Sequence, residues 1–275
     1  MADKEQSLPN YENPPVVEVV CGVQFKPIEQ FNVAHIGLLW QRFQPEYVAC
    51  KEQNPLPPVI EQMTVPPPEQ PLHELQIFSL PRIWYVNKNE SHVIQVQRDR
   101  FLTNWKKTDT VPEYPRYGAV IENFQTRLKE FRSFLVDCGL KEPEPLQYEM
   151  TYVNVIPIGE GWSSVGNLSE LFPDFNFRKA DRFLNAPESI NWTNSFRLPG
   201  ESGRLHCLIA NGWRKKVDES QEQVIQFSLT ARGIGEYKSW EQMPDWFDTA
   251  RKWIVRSFAD LTDEKIQREI WKRTQ

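Results

Sequence analysis

Apolar positions recur along the chain with two periods, and each period predicts a different element. Val16 to Phe25 is a β-branched run delivered by Pro14-Pro15 and bounded by Pro27, which predicts a strand. Ile36, Leu39, Trp40, Phe43 and Tyr47 then share one face of an amphipathic helix, and Pro45 ends it near Phe43. Further strands are expected over 74–79, 83–86 and 92–105, with Asn87 to Glu90 as a turn. Tyr117, Val120, Ile121, Phe124, Leu128, Phe131 and Leu135 mark a long helix, which Gly139 closes as a left-handed cap.

The pattern then restarts. Tyr148 to Ile156 predicts a strand stopped by Pro157, and 164–172 a short helix stopped by Pro173. Three strands follow over 190–198, 204–213 and 223–231. Phe247, Ala250, Trp253, Ile254, Phe258 and Leu261 form another helical face, and Thr262 is placed to cap a terminal helix with Asp263 and Glu264 in its first turn.

Both stretches therefore run strand, helix, long connection, β-meander, helix. Val93-Ile94-Gln95-Val96 matches Val224-Ile225-Gln226-Phe227, and Glu18 matches Glu149; the spacing is 75 residues in each half (18 to 93, 149 to 224). The expected fold class is α+β: an antiparallel sheet with helices on one face, formed by internal duplication and resembling the saddle of the TATA-binding protein. The expected division is a flexible tail over 1–13, a first half over 14–141 and a second over 142–275, sharing one sheet.

Asn54 to Pro71 contains seven prolines and cannot supply a full set of ladder donors. It reads either as a docking strip for an aromatic groove or, in preference, as a surface connection that wraps the domain.

Composition changes this picture little. Apolar residues make up 40% and charged residues 25%, which is ordinary for a globular chain, and the net charge of −5 opposes non-specific binding to phosphate backbones. Cys21, Cys50, Cys138 and Cys207 never pair as CxxC and read as thiols in a reducing compartment. Met1 to Glu12 lacks the basic and apolar regions of a signal peptide, and no apolar run reaches membrane-spanning length, so a cytoplasmic protein is expected.

Candidate chemistry is sparse. The four histidines show no HxxxH or HExxH spacing, so no metal or cofactor is expected. No phosphate-binding glycine loop or nucleophile elbow occurs, and Arg232-Gly233-Ile234-Gly235 reads as a turn. Glu18 and Glu149 are the acids in the most apolar surroundings; they either point to solvent or pair with arginines such as Arg98 or Arg100. A Ser/His/acid set assembled across the sequence stays possible, though nothing nominates one. Basic residues beside aromatics form the candidate interaction surface: Arg98, Arg100, Trp105 and Lys106, with Trp213, Arg214 and Lys215. A further cluster runs from Arg178 to Arg182. Of the ten tryptophans, Trp40, Trp253 and Trp192 fit core faces, whereas Trp84, Trp105, Trp213 and Trp246 lie where some exposure is expected.

Four stretches together resemble a family of uncharacterised bacterial proteins of about 260 residues with sporadic distribution. They are Asn13 to Val20 with Phe25, Gln97 to Trp105 leading to Tyr114–Tyr117, Tyr152-Val153-Asn154, and Trp253 to Thr262 with Ile270 to Arg273. The resemblance carries over no activity, cofactor or catalytic residue. Sporadic distribution implies mobile genes, including anti-phage defence and toxin–antitoxin modules. The function expected is a non-catalytic adaptor that binds a protein partner, or forms a homo-oligomer, through an uncovered sheet face or the proline-rich segment. The alternative is a nucleic-acid-binding module using a basic, aromatic sheet face. An enzyme with a site around Glu18 or Glu149 is the third reading.

Overall fold

The β-branched run near the start of the chain becomes the middle of the structure. A computed structural model describes residues 7–63, 80–175, 183–216 and 218–275. In chain order the elements are β1 (Val16–Phe25), α1 (Val33–Phe43), β2 (Ala49–Gln53), β3 (Arg82–Val86), β4 (His92–Gln97), β5 (Arg100–Lys106), α2 (Arg116–Asp137), β6 (Pro145–Pro157), β7 (Asn191–Arg197), β8 (Arg204–Lys215), β9 (Gln221–Gly233), α3 (Met243–Leu261) and α4 (Glu264–Glu269). A 3₁₀ turn over Val165–Glu170 stands where the short helix of the second half is expected. The nine strands form one sheet in the order β2-β3-β4-β5-β1-β6-β9-β8-β7, and every pairing is antiparallel. The fold is α+β, as the periodicity predicts.

The two halves are threaded alike. In each, the opening strand lies at the centre, pairs with the last strand before the long helix (β1 with β5, β6 with β9), and the meander grows outward. Glu18 faces Lys106 across β1–β5, and Glu149 faces Arg232 across β6–β9. These cations, together with Asn104, whose Nδ2 donates to Glu18 at 2.6 Å, are the partners of the two glutamates, in place of Arg98 or Arg100. The four-residue match falls on strands that are not equivalent: β4 lies between β3 and β5, whereas β9 lies beside β6 and runs directly to α3.

Side chains at alternate strand positions face the helices and form an aromatic core. Phe131 of α2 stacks on Phe25 and Phe101, with centroids 6.1 and 5.0 Å away. Trp246 and Phe247 of α3 pack on Tyr148, Trp40 and Phe43 of α1 pack on Tyr85, and Phe124 meets Phe247 where the two long helices adjoin. Trp105 and Trp246 thus belong to the core, whereas Trp213 is 63% exposed.

Several expectations need correction. The run 92–105 is a hairpin, not one strand. It turns at Arg98-Asp99, and the Asp99 carboxylate accepts from Gln97 Nε2 (2.9 Å) and Arg100 Nε (3.1 Å), which holds a tight turn without glycine or asparagine. No strand is expected over 49–53, where Lys51 and Glu52 break any apolar alternation; β2 forms by pairing along β3. The strand expected over 74–79 lies outside the described residues. Asp263, rather than Thr262, caps α4 by accepting from the Ile266 amide, while the Thr262 hydroxyl donates to the Phe258 carbonyl. The expected tail over 1–13 does not extend to Tyr11, which is buried and bridges to Arg273 of the C-terminal segment; residues 1–6 lie outside the described residues.

Gly139 closes α2 with φ of 72°, as predicted. Gly203 and Gly233 sit at a close crossing of two backbones: a Cβ on Gly233 would fall 2.3 Å from the Ser202 carbonyl oxygen. That contact makes the Gly233 turn a packing feature and excludes larger residues there.

Phe131→Ala removes a fully buried ring that joins α2 to β1 and β5. We expect a loss of about 3–5 kcal/mol in urea unfolding, with the slope of free energy against denaturant unchanged.

Candidate functional site

The sheet face away from the helices carries Glu18, Val20, Gly22 and Gln24 on β1 and their register partners Lys106, Asn104, Leu102 and Arg100 on β5. Alternation predicts a solvated face. Instead Gln24, Gln95, Gln97, Asn104, Arg100, Gln147 and Arg204 are all buried.

Part of the reason is the proline-rich segment. Residues 54–63 cross this face at one end of the strands, and strand side chains satisfy their backbone. Gln97 accepts from the Leu56 amide (2.9 Å) and donates to the Leu56 carbonyl (3.0 Å). Gln147 accepts from the Glu61 amide (2.8 Å) and donates to the Val59 carbonyl (2.7 Å), to which Gln24 also donates. Arg100 Nη2 donates to the Pro57 carbonyl (2.9 Å). A primary amide carries both a donor and an acceptor, so it can clasp a peptide group as a neighbouring strand would. The prolines at 55, 57 and 58 lack donors, and the clasps fall on Leu56, Val59 and Glu61 or on a proline carbonyl. The described part of the segment, residues 54–63, is thus a strap that wraps the domain and is not free to serve as a docking strip; residues 64–71 lie outside the described residues.

The strap is anchored at Glu61, whose side chain is 2% exposed. Arg204 donates to it at 2.8 Å, His206 Nε2 lies 2.6 Å away, and Arg232 is at 3.9 Å while also bonding Glu149 at 2.7 Å. Burial pushes the Glu61 carboxyl up, but the hydrogen bonds from His206 and Arg204 and the charges of His206 and Arg232 outweigh it and hold it below its ordinary value. Beyond Glu61, Arg204 donates to the Gln62 carbonyl and Arg197 of β7 to the Met63 carbonyl.

Ser195 Oγ lies 2.9 Å from His206 Nδ1, so Ser195, His206 and Glu61 are linked in the order of an acyl-transfer triad. The surroundings favour an anchor. Two guanidinium groups draw on the Glu61 charge that would have to stabilise an imidazolium, and Ser195 stands on an exposed edge strand that does not exclude water. No motif could have revealed this set, since Glu61 is 145 residues from His206.

The predicted surface residues are divided between the two ends of the sheet. Trp105 is buried against Tyr114, centroids 5.3 Å apart, and is not a surface residue. Arg100 is buried on Asp99 and the strap, and Arg98 donates to the Phe31 carbonyl. Lys106 lies over the Trp84 ring and 3.7 Å from Glu18. Trp213, Arg214 and Lys215 lie at the tip of the β8–β9 hairpin, where Arg214 pairs with Glu222 and Lys215 with Glu219. Arg100, Lys106, Arg214 and Lys215 are therefore each matched by a carboxylate. The cluster from Arg178 to Arg182 lies outside the described residues. Among the described residues no group of three or more His, Cys, Asp or Glu side chains could hold a metal ion, and no helix is long and apolar enough to cross a membrane.

Among the described residues the outer edge of β7 has no pairing strand. The Leu198 amide donates to the Gly203 carbonyl and the Asn211 amide to the Ile190 carbonyl. In an antiparallel ladder this register turns the backbone groups of even-numbered β7 residues toward β8, and those of Asn191, Thr193, Ser195 and Arg197 outward. Six of the seven residues are exposed, and Phe196 is 40% exposed. β2, at the opposite edge, is shorter and carries Lys51 and Glu52, charges of the kind that protect edges from pairing. β7 has no proline or lysine, and its only charge is at its last residue.

No family model matches the chain, and no curated protein is similar to it in sequence.

Glu61→Gln removes the charge that holds the strap. We expect a loss of about 3 kcal/mol at pH 7, because its buried arginine partner loses its counter-charge. A carboxylate held below its ordinary value stabilises the fold above that value, and the contribution fades as pH falls through the lower folded-state value. The difference between wild type and Glu61→Gln in urea unfolding should therefore narrow on acidification below about pH 4. A gap that stays constant from pH 7 downward would show that the charge does not anchor the strap.

Proposed function

We propose that the protein is a non-catalytic binding module that accepts an extended segment of a protein partner as an additional strand on the outer edge of β7. The observation that carries this reading is the outward row of backbone donors and acceptors at Asn191, Thr193, Ser195 and Arg197, with no pairing strand among the described residues. Main-chain hydrogen bonds supply affinity in such complexes, and alternate side chains supply selectivity. Here Trp192, Asn194 and Phe196 would offer the selective row on the helix side of the sheet.

The edge replaces the open sheet face as the docking element, because the strap occupies one end of that face. The nucleic-acid alternative loses its motive, since the basic residues that suggested it are dispersed and mostly paired. An enzyme built on Glu18 or Glu149 is not favoured either, since each glutamate faces a cation across its ladder. The like threading of the halves and the like pairing of Glu18 and Glu149 support an origin by duplication, and we infer that a meander in each half was retained while only one kept an uncharged edge.

The test uses two proline variants of the full chain. Thr193→Pro deletes an outward N–H and leaves the β8 ladder intact, so the fold should survive with a change within about 1 kcal/mol. Asn194→Pro deletes an inward N–H and should destabilise the sheet. The wild-type protein isolated from its native host should carry a partner chain whose presence protects the Thr193 and Ser195 amides from hydrogen exchange. Thr193→Pro should lose that partner. A partner that stays bound to Thr193→Pro, a strict monomer without partner, or a dimer of identical chains would each defeat the proposal.

A further inference from the structure

A second site lies on the opposite face of the sheet, and it owes nothing to the edge of β7. Where the two halves meet, the start of α2, the middle of α3 and the central strands line a half-open cavity of about 100 Å³. Its apolar wall includes Val16, Leu229, Ile254 and Phe258. The N-terminal segment forms another wall and is tied down by a backbone ladder to the C-terminal residues, with the Glu12 and Asn13 amides donating to the Lys272 and Trp271 carbonyls.

Polar groups converge on this apolar space. The Tyr114 and Tyr152 hydroxyls lie 2.9 Å apart and share a single hydrogen bond. Two hydroxyl protons serve one shared bond, so one proton has no acceptor among the described residues. Tyr152 is 7% exposed, and leaving such a donor unsatisfied in a buried place is costly. Burial pushes Tyr114 up to about 12 and Tyr152 well above the ordinary phenol value, so both remain donors at neutral pH. The third group is Arg251, whose guanidinium lies 4.5 Å from the Tyr117 ring centroid. Among the described residues no carboxylate lies within ion-pair distance of it. Asp248, the nearest acid in sequence on α3, accepts the Tyr117 hydroxyl at 2.8 Å.

We propose that this cavity binds a small aromatic monocarboxylate, with the ring in the apolar space and the carboxylate between the tyrosine pair and Arg251. The size admits no more than one ring: the space is smaller than the engineered apolar cavity of roughly 150 Å³ that takes up benzene, but it is open on one side and not sealed. Arg116 also lines the pocket, but its guanidinium donates to Asn10 Oδ1 and the Tyr11 carbonyl; the remaining donors, a phenolic proton and Arg251, fit one carboxylate.

The experiment measures binding to the full-length wild-type protein by calorimetry and by thermal shift, with benzoate and its neutral isostere benzamide as probes. Saturable benzoate binding at least tenfold tighter than benzamide is expected, together with a rise in Tm. Tyr152→Phe should weaken benzoate about tenfold and leave benzamide nearly unchanged, and Arg251→Gln should bring the two probes to equal affinity. Equal binding of both probes by the wild type would reduce the site to an apolar void, and no saturable benzoate binding would remove it. Because the comparison of probes needs no variant, a variant that fails to fold leaves the result standing. A Thr193→Pro protein should bind benzoate as the wild type does, which separates this site from the β7 edge.

Discussion

The antiparallel pairing of β1 with β6 is the contact on which the rest of the molecule depends. It runs from Val16 opposite Asn154 to Phe25 opposite Pro145, and it sets the opening strands of the two halves side by side. Once these strands pair with each other, each meander can extend only outward, so the sheet is continuous and its edges among the described residues are β2 and β7. The same pairing brings α2 and α3 together over the middle of the sheet, where Phe124 meets Phe247, and it forms the half-open cavity at their junction. A slip by one residue along this ladder would turn Val19, Cys21 and Val23 away from the helices and expose the core of both halves at once.

The strapped face depends on the same continuity. Residues 54–63 leave the first half beyond β2, cross the central ladder and end on β7 and β8 of the second. Each hydrogen bond contributes on the order of 1 kcal/mol net, but the Glu61 anchor is buried and charged, so its loss matters more than that of any single amide clasp. A strap held from both halves resists their separation. The polar residues beneath it are amides, because an amide can meet the peptide groups of the strap on equal terms, whereas a lysine or glutamate there would have to bury its charge. Where charges do occur beneath it they are matched: Arg100 by Asp99, and Arg204 by Glu61.

Periodicity within the chain made most of the elements legible. The stripe from Tyr117 to Leu135, the β-branched run of β1 and the second set of strands all fall where apolar spacing puts them, because those faces bury against a partner of regular geometry. The turn at Arg98-Asp99 was hidden, since its conformation is held by side-chain hydrogen bonds to Asp99 and not by a glycine. β2 was hidden for a related reason: an exposed edge strand needs no apolar alternation and is specified by its neighbour. The amides Gln24, Gln97 and Gln147 were the available signal of a covered face, since a wet strand face more commonly carries charged or hydroxyl side chains. Read alone, each looked like an ordinary polar position.

Local spacing and composition suffice to give the fold class, the two-part order of elements and the core faces of the long helices, and they contain no motif that carries chemistry. Long-range pairing alone sets Glu18 and Glu149 against Lys106 and Arg232, gathers Ser195, His206, Arg204 and Arg232 around Glu61, buries Trp105, and leaves one sheet edge without a pairing strand among the described residues. These are pairings between residues far apart in the chain. Which distant strands meet, and in which register, is fixed by the joint packing of both halves and leaves no mark in the spacing of either.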